Sequence, residues 1–275
     1  MNKIWYGSES SYDVVMEAKV KLDALLKSNP GIDNQYEMPS LYTLQGDVGV
    51  VSIKGSLVEG SSGLMQMFGV TGYDDVAQAL IEAVSDKKAK SIMLDVKSPG
   101  GDAKGVRAVG DLIKNIGQVK ATSVFADHMG SAAYWLGSAG GHITIDEMGM
   151  AGSIGALTVH TEYSGAMEKE GIKKTVIRAG VNKALANPIE PLSEEAKSSL
   201  QSLVDGSRDL FVNAVADNRG TTPSNVEMNM GQGREFMGMK AVQAGLADSV
   251  GNYEDALAYS KAYQRSFKAT KSVKV

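Results

Sequence analysis

An α/β fold built on a mostly parallel β-sheet is the architecture this sequence predicts, and three observations lead to it. The runs DVGVVSI (47–53), SIMLDV (91–96) and ATSVFA (121–126) are short and almost continuously apolar, as strands buried on both faces are. Segments with helical periodicity lie between them, YDDVAQALIEAV (73–84) and DAKGVRAVGDLIKNIG (102–117), so the order reads as repeated βαβ units flanked by helices. Glycine is plentiful at 31 and proline scarce at 6, which suits tight turns and close backbone approaches rather than loose linkers.

The elements follow in order. Residues 1–45 stand apart as a helical leader, in which SYDVVMEAKVKLDALLKS reads as one amphipathic helix followed by the turn-rich NPGIDNQYEMPS. The main domain spans 46–265. After its first strand comes the glycine-rich loop KGSLVEGSSGLMQMFGVTG (54–72), then a helix that Thr71 and Asp74 open with capping-box spacing. SPGG (98–101) ends the second strand and opens a helix. A helix is expected after Gly130, then strands at HITID (142–146), SIGALTVH (153–160) and TVIRAG (175–180), with a helix ending near Gly171 between the last two. SEEAKSSLQSLVDGSRDLFVNAVADNRG is a long helix with a glycine stop. GREFMGMKAVQAGLADSVGNYEDALAYSKAY closes the domain, and 266–275 form a basic flexible tail.

Composition removes several classes of function. Hydrophobic residues make up 43% and charged residues 22% of the 275, the balance of a globular protein with ample core. With no cysteine, disulfides and thiolate metal sites are excluded. Three histidines without ligand spacing predict no metal, and no cofactor motif is complete. A net charge of −4 gives no footprint for nucleic acid. No apolar run approaches the roughly 20 residues of a membrane helix, and MNKIWYGSES lacks a signal-peptide core. The expectation is a cytoplasmic protein without a membrane anchor.

Among candidate chemistries, Ser85 and Lys88 have a bare Ser-x-x-Lys spacing at the charged end of a helix, where nothing desolvates the lysine. GQGREF (231–236) lacks the third glycine of a dinucleotide loop and reads as a turn. SPGG is more informative, because glycine N–H groups at the carboxyl edge of a sheet can meet developing negative charge. An ordinary turn after Pro99 is the plain alternative. DHMGSAAYWLGSAGG (127–141) repeats that geometry one unit later and puts Ser131 at a helix start, where a serine is ordinarily a cap. His128 is the nearest base in sequence, expected in the loop before that helix.

Taken in order, SPGG, GSAAYW, GSIG, the lysine of AGVNKA and the closing GREFMGMKAVQAGLADSVGNYEDAL resemble the S49 family of serine peptidases, the signal-peptide-peptidase-A group, over roughly residues 47–262. The resemblance implies a ClpP/crotonase-like fold. Position by position it makes Ser131 the nucleophile, Lys183 the general base and Ser153 the serine that orients the lysine. It makes the N–H groups of Gly101 and Ala132 the oxyanion donors, with Gly100 beside them. A lysine serves as base only when neutral, and burial among apolar neighbours is what lowers its affinity for a proton. Leu64, Met65, Met67 and Phe68 form a flexible apolar loop that could line a peptide groove or meet a neighbouring subunit. The phage members of the family share the pattern TGYDDVAQAL…SIMLDVKSPGGDAKGV, which implies capsid maturation inside a procapsid, a scaffold or capsid polypeptide as substrate, and a homo-oligomeric ring. The alternatives are a signal-peptide-peptidase-like bacterial protease, a crotonase-fold CoA enzyme, or an assembly protein without activity.

Overall fold

The period-two alternation of strand side chains accounts for the apolar runs. In β3 (Val48–Lys54), Val48 and Val50 point into one layer, with Ala256 and Leu257, while Val51 and Ile53 point into the main core. β6 (Ser91–Ser98) and β8 (Ala121–Gly130) repeat the division. Met93 and Phe125 join the first layer, whereas Ile92, Leu94, Val96, Val124 and Ala126 join the main core. A strand covered on both faces has no polar side to show in its sequence.

The computed structural model describes residues 3–32 and 39–267. The basic tail expected from 266 onward therefore lies outside the described residues from 268, as do residues 33–38 of the turn-rich segment. The main sheet runs β10 (Glu235–Met237), β9 (His142–Gly152), β8, β6, β3, β2 (Tyr42–Gln45), with β11 (Ser249–Val250) beside β9. β3, β6, β8 and β9 are mutually parallel; β2 and β10 are antiparallel edges. A smaller sheet of four has the order β1 (Trp5–Gly7), β7 (Gly100–Asp102), β4 (Ser56–Val58), β5 (Val70–Gly72). Its first strand comes from the leader.

Helices α2 (Tyr73–Ser85), α3 (Val106–Ile116), α4 (Ala132–Ser138) and α6 (Glu194–Arg219) bury apolar faces in the main core, while α9 (Tyr253–Ser266) covers the opposite layer. α1 (Glu9–Ser28), capped by Ser8 Oγ accepting from the Ser11 N–H, packs Val15 and Ala18 against Trp5, Val58 and Val70. Short helices α5 (Ser164–Lys169), α7 (Pro223–Asn229) and α8 (Met239–Gln243) complete the chain. Every residue of α4 is buried. Its Trp135 stacks with Tyr6 and Phe211 at ring separations of 5.8 and 5.2 Å. Burying side chains of this size contributes about 1.5–3 kcal/mol each, so this cluster ties leader, α4 and α6 together.

Several sequence expectations need correction. Residues 153–160 and 175–180 are not strands; the first makes a single bridge, Leu157 to Trp5. SPGG does not open a helix. It turns into β7, and α3 starts only at Val106 after Gly105. The cap of α2 is Gly72 with Asp75, whose carboxylate accepts from the Gly72 N–H, while Thr71 Oγ1 donates to the Lys54 carbonyl. His128 lies on β8, not in a loop, because that strand continues through a register shift to Gly130.

Candidate active site

Three parallel strands bring the candidate residues to one sheet edge. β6 ends at Ser98, β8 at Gly130 and β9 at Gly152, with Ser98 opposite Met129 and Gly130 opposite Gly152. The residues that follow each end, Pro99-Gly100, Ser131 and Ser153, therefore emerge side by side at the carboxyl edge. The Ser131 N–H donates to the Gly152 carbonyl at 2.8 Å, and the Ser153 N–H to the Arg234 carbonyl at 2.8 Å.

Ser131 is no ordinary cap. Its φ of 50° and ψ of −117° lie where a side chain is strained, and its Oγ makes no capping bond to the helix it precedes. The residue is 1% exposed, and its hydroxyl satisfies none of the N–H groups that open α4. A cap that does not cap, held in a costly conformation, has its hydroxyl free for another use.

Gly100 supplies the close approach. A Cβ there would fall 2.9 Å from the Ala132 nitrogen, 2.9 Å from the Gly130 carbonyl oxygen and 2.2 Å from the Tyr6 carbonyl oxygen. Gly100, Gly101 and Ala132 are thus brought together beside Ser131, with only glycine tolerated at 100. Ser153, half-buried, is next along the edge, with φ 56°.

Lys183 makes no hydrogen bond to Ser131 among the described residues. It sits on an exposed turn, its N–H donating to the Gly180 carbonyl, and among the described residues its Nζ makes no hydrogen bond or ion pair. The turn has its own closure: Arg178 pairs with Glu190, and Asn187 Nδ2 donates to the Ala184 carbonyl at 2.9 Å. Hydrogen bonds from Asn187 and Arg178 hold the Glu190 carboxyl below its ordinary range. Ile177 and Val181, beside Lys183, are 94% and 81% exposed.

The apolar loop forms a 3₁₀ turn over Gly63–Phe68. Leu64 is buried, Met65 and Phe68 pack onto the cluster around Trp5, and Met67 is exposed. His128 Nε2 lies 3.1 Å from Glu235 Oε1, and both flank Gly130, where a Cβ would fall 2.4 Å from that oxygen. Sequence reading missed Glu235 and the leader strand at this edge. A three-residue strand carries no periodicity, though the cap Ser8 just after WYG marks where the leader helix must begin.

Fold and site together define an α/β protein of parallel βαβ units with a strained, non-capping serine at the carboxyl edge of its sheet. Comparison with known proteins narrows that class. The sequence model of peptidase family S49 matches residues 116–266, more than half of the chain, and the chain belongs to that family. It is 30% identical over 228 residues to the capsid assembly protease C of Escherichia phage lambda, covering 82% of this chain and 52% of that protein. It is 31% identical over 218 residues to the head-tail preconnector protein GP5 of Enterobacteria phage P21, covering 79% and 43%. A putative signal peptide peptidase SppA of Enterococcus faecium is 27% identical over 264 residues, covering 94% and 68%. The chain thus spans about half the length of the two phage relatives. Among solved structures, an enoyl-CoA hydratase from Shewanella pealeana aligns with a TM-score of 0.46 at 12% identity, over 86% of this chain and 76% of that one. The βαβ architecture is the one expected of the ClpP/crotonase-like fold. Among the described residues, no helix is long and apolar enough to cross a membrane.

Proposed function

We propose that the chain is a serine endopeptidase in which Ser131 attacks the peptide carbonyl and Lys183 takes its proton. The observation that carries this reading is the uncapped, strained Ser131 beside the Gly100 backbone, within a chain of peptidase family S49. As Ser131 Oγ bonds to the carbonyl carbon, the carbonyl oxygen gains negative charge, which the N–H groups of Gly101 and Ala132 would stabilise. Collapse of that intermediate breaks the C–N bond, and the proton held by Lys183 passes to the leaving amine. Water then attacks the acyl-enzyme by the same route and restores the hydroxyl. Ser153 would orient the lysine.

A lysine takes the serine's proton only in its neutral form, which burial favours. Lys183 must be covered to act, and its exposed neighbours Ile177 and Val181 offer an apolar surface for a second copy to cover. The reading therefore includes a homo-oligomeric ring in which one copy's Lys183 turn meets the next copy's Ser131. The names of the phage relatives favour a role in capsid assembly, with scaffold or capsid polypeptides as substrates in the host cytoplasm or procapsid.

The test is reaction with a serine-directed phosphonate, followed by mass mapping of the adduct. Labelling is expected at Ser131, and loss of peptide cleavage in both Ser131→Ala and Lys183→Ala. An adduct on any other residue, or full activity in either variant, refutes the dyad.

A further inference from the structure

The leader strand β1 runs along the sheet edge at Gly100, beside Ser131 and Ala132. One edge of it pairs antiparallel with β7, Gly7 opposite Gly100, Tyr6 opposite Gly101 and Trp5 opposite Asp102. Its other edge bridges the segment that follows Ser153, with the Trp5 N–H donating to the Leu157 carbonyl at 2.9 Å and the Leu157 N–H to the Trp5 carbonyl at 3.0 Å. The ends of the strand are held as well. The Ala103 N–H donates to the Ile4 carbonyl, Thr158 Oγ1 donates to the Lys3 carbonyl, and Lys3 Nζ pairs with the buried Asp102 at 2.8 Å.

Residues 3–7 thus form a strand between two segments that both start at the site, one at Gly100 and the other at Ser153. The Tyr6 carbonyl and the Ala132 nitrogen close on one point, 2.2 and 2.9 Å from where a Gly100 Cβ would stand. The Tyr6 ring fills a socket between α4 and α6. It stacks on Trp135, four residues after Ser131, lies 5.0 Å from the Phe211 ring, and its hydroxyl donates to the Ser207 carbonyl at 2.6 Å. A cavity of about 540 Å³ walled by Val106, Trp135 and Leu210 continues that socket.

We infer that Lys3–Gly7 is an intramolecular occupant of the peptide groove, and that it shows what the groove selects: an extended chain with an aromatic side chain packed against both Trp135 and Phe211. Backbone pairing to β7 and Leu157 is independent of side chains and supplies affinity, whereas the socket reads one residue, the division of labour in strand addition. An incoming substrate must displace β1, so the chain as folded is held in check by its own leader. The inference rests on Ser131 being the nucleophile.

The experiment compares the rate at which a serine-directed phosphonate labels Ser131 in the full wild-type chain and in the Lys3→Ala, Thr158→Ala double variant. That variant loosens β1 without altering Tyr6, Trp135 or Phe211. Losing a hydrogen bond shifts a two-state equilibrium by about fivefold, so labelling should accelerate by at least about that factor. The peptide Lys-Ile-Trp-Tyr-Gly added in trans should slow it again, and the same peptide with alanine for tyrosine should not. Should the double variant fail to fold, Tyr6→Phe removes only the Ser207 bond and serves the same comparison. Equal rates in wild type and a folded variant overturn the occupancy. Equal protection by the two peptides overturns the aromatic preference. Absence of a Ser131 adduct in every form overturns the nucleophile assignment, and this inference with it.

Discussion

The strained backbone of Ser131 makes a prediction that is independent of catalysis. Replacing Ser131 by alanine keeps a side chain at φ 50° and removes a hydroxyl that makes no capping bond, so stability should change little. Replacing it by glycine removes the Cβ and the strain with it. Relief of such a conformation is worth about 1–3 kcal/mol. The extra freedom of glycine in the unfolded chain costs about 0.5–1 kcal/mol. The balance favours Ser131→Gly over Ser131→Ala by ~1 kcal/mol, or roughly 2–4 °C in melting temperature for a protein of this size. Ser138, the last residue of the helix that Ser131 precedes, is the control. It is buried, its Oγ donates to the Trp135 carbonyl at 2.8 Å, and it is not among the residues with positive φ. There the order should reverse, with Ser138→Gly less stable than Ser138→Ala by about 0.5–1 kcal/mol. Calorimetric melting of the four variants gives both differences. If Ser131→Gly melts at or below Ser131→Ala, the backbone at 131 is not strained and the reading of its uncapped geometry fails.

Three further predictions concern assembly, the sheet edge and acid stability. If Lys183 acts across an interface, co-expressing Ser131→Ala with Lys183→Ala chains should restore cleavage at about a quarter of interfaces, since each site then needs one particular neighbour; a mixture as inactive as its parts excludes the trans arrangement. Gly100→Ala, whose Cβ would fall 2.2 Å from the Tyr6 oxygen at φ 95°, should abolish Ser131 labelling and lower the melting temperature, and a folded, fully reactive variant would refute the close approach. Burial lowers the proton affinity of His142, so the unfolded chain binds that proton first and stability should fall as pH drops below about 6.5. Burial pushes Asp248 up, but hydrogen bonds from Arg219 and the Ile143 N–H prevail and hold it low, so a second loss should begin below about pH 4. Urea midpoints against pH test both, and His142→Gln should remove only the first loss.

The fold was legible where burial is two-sided or where helix signals are complete. β3, β6 and β8 show as apolar runs because each is covered by helices on both faces, and α6 is bracketed by its cap Ser193 and by Gly220 in the left-handed region. Residues 153–160 misled because Ile154, Leu157 and Val159 have strand character. The pairing partner is a three-residue leader strand, so only Leu157 forms a bridge. The candidate site was legible as residue types, not as geometry. A serine after glycine at a helix start signals a cap, and only the backbone angles show that this one does not cap. Lys183 has no acidic neighbour in sequence, but its exposure depends on how the 178–190 turn closes, and local sequence does not encode that.

The glycines at the sheet edge show why this site depends on the entire fold. A Cβ at Gly100 would strike the Tyr6 carbonyl, one at Gly130 the Glu235 carboxylate, and one at Gly152 the Arg234 carbonyl at 2.6 Å. The edge is therefore pressed from the leader on one side and from the segment around β10 on the other, with the parallel strands between. These neighbours are not equivalent. Glu235 is engaged with His128, and the Arg234 carbonyl accepts from the Ser153 N–H, so displacing either would dismantle the edge itself. The Tyr6 carbonyl belongs to a strand held by backbone pairing on both edges, by the buried Tyr6 and Trp5 side chains and by the Lys3–Asp102 pair, and its backbone pairing is what another extended peptide can reproduce. Of the three contacts it is the one whose backbone pairing an incoming peptide can replace, and it is the one that faces both Gly100 and the Ala132 nitrogen. The same requirement that forces glycine at 100 thus opens the groove to a peptide carbonyl, and the leader occupies it in the free chain.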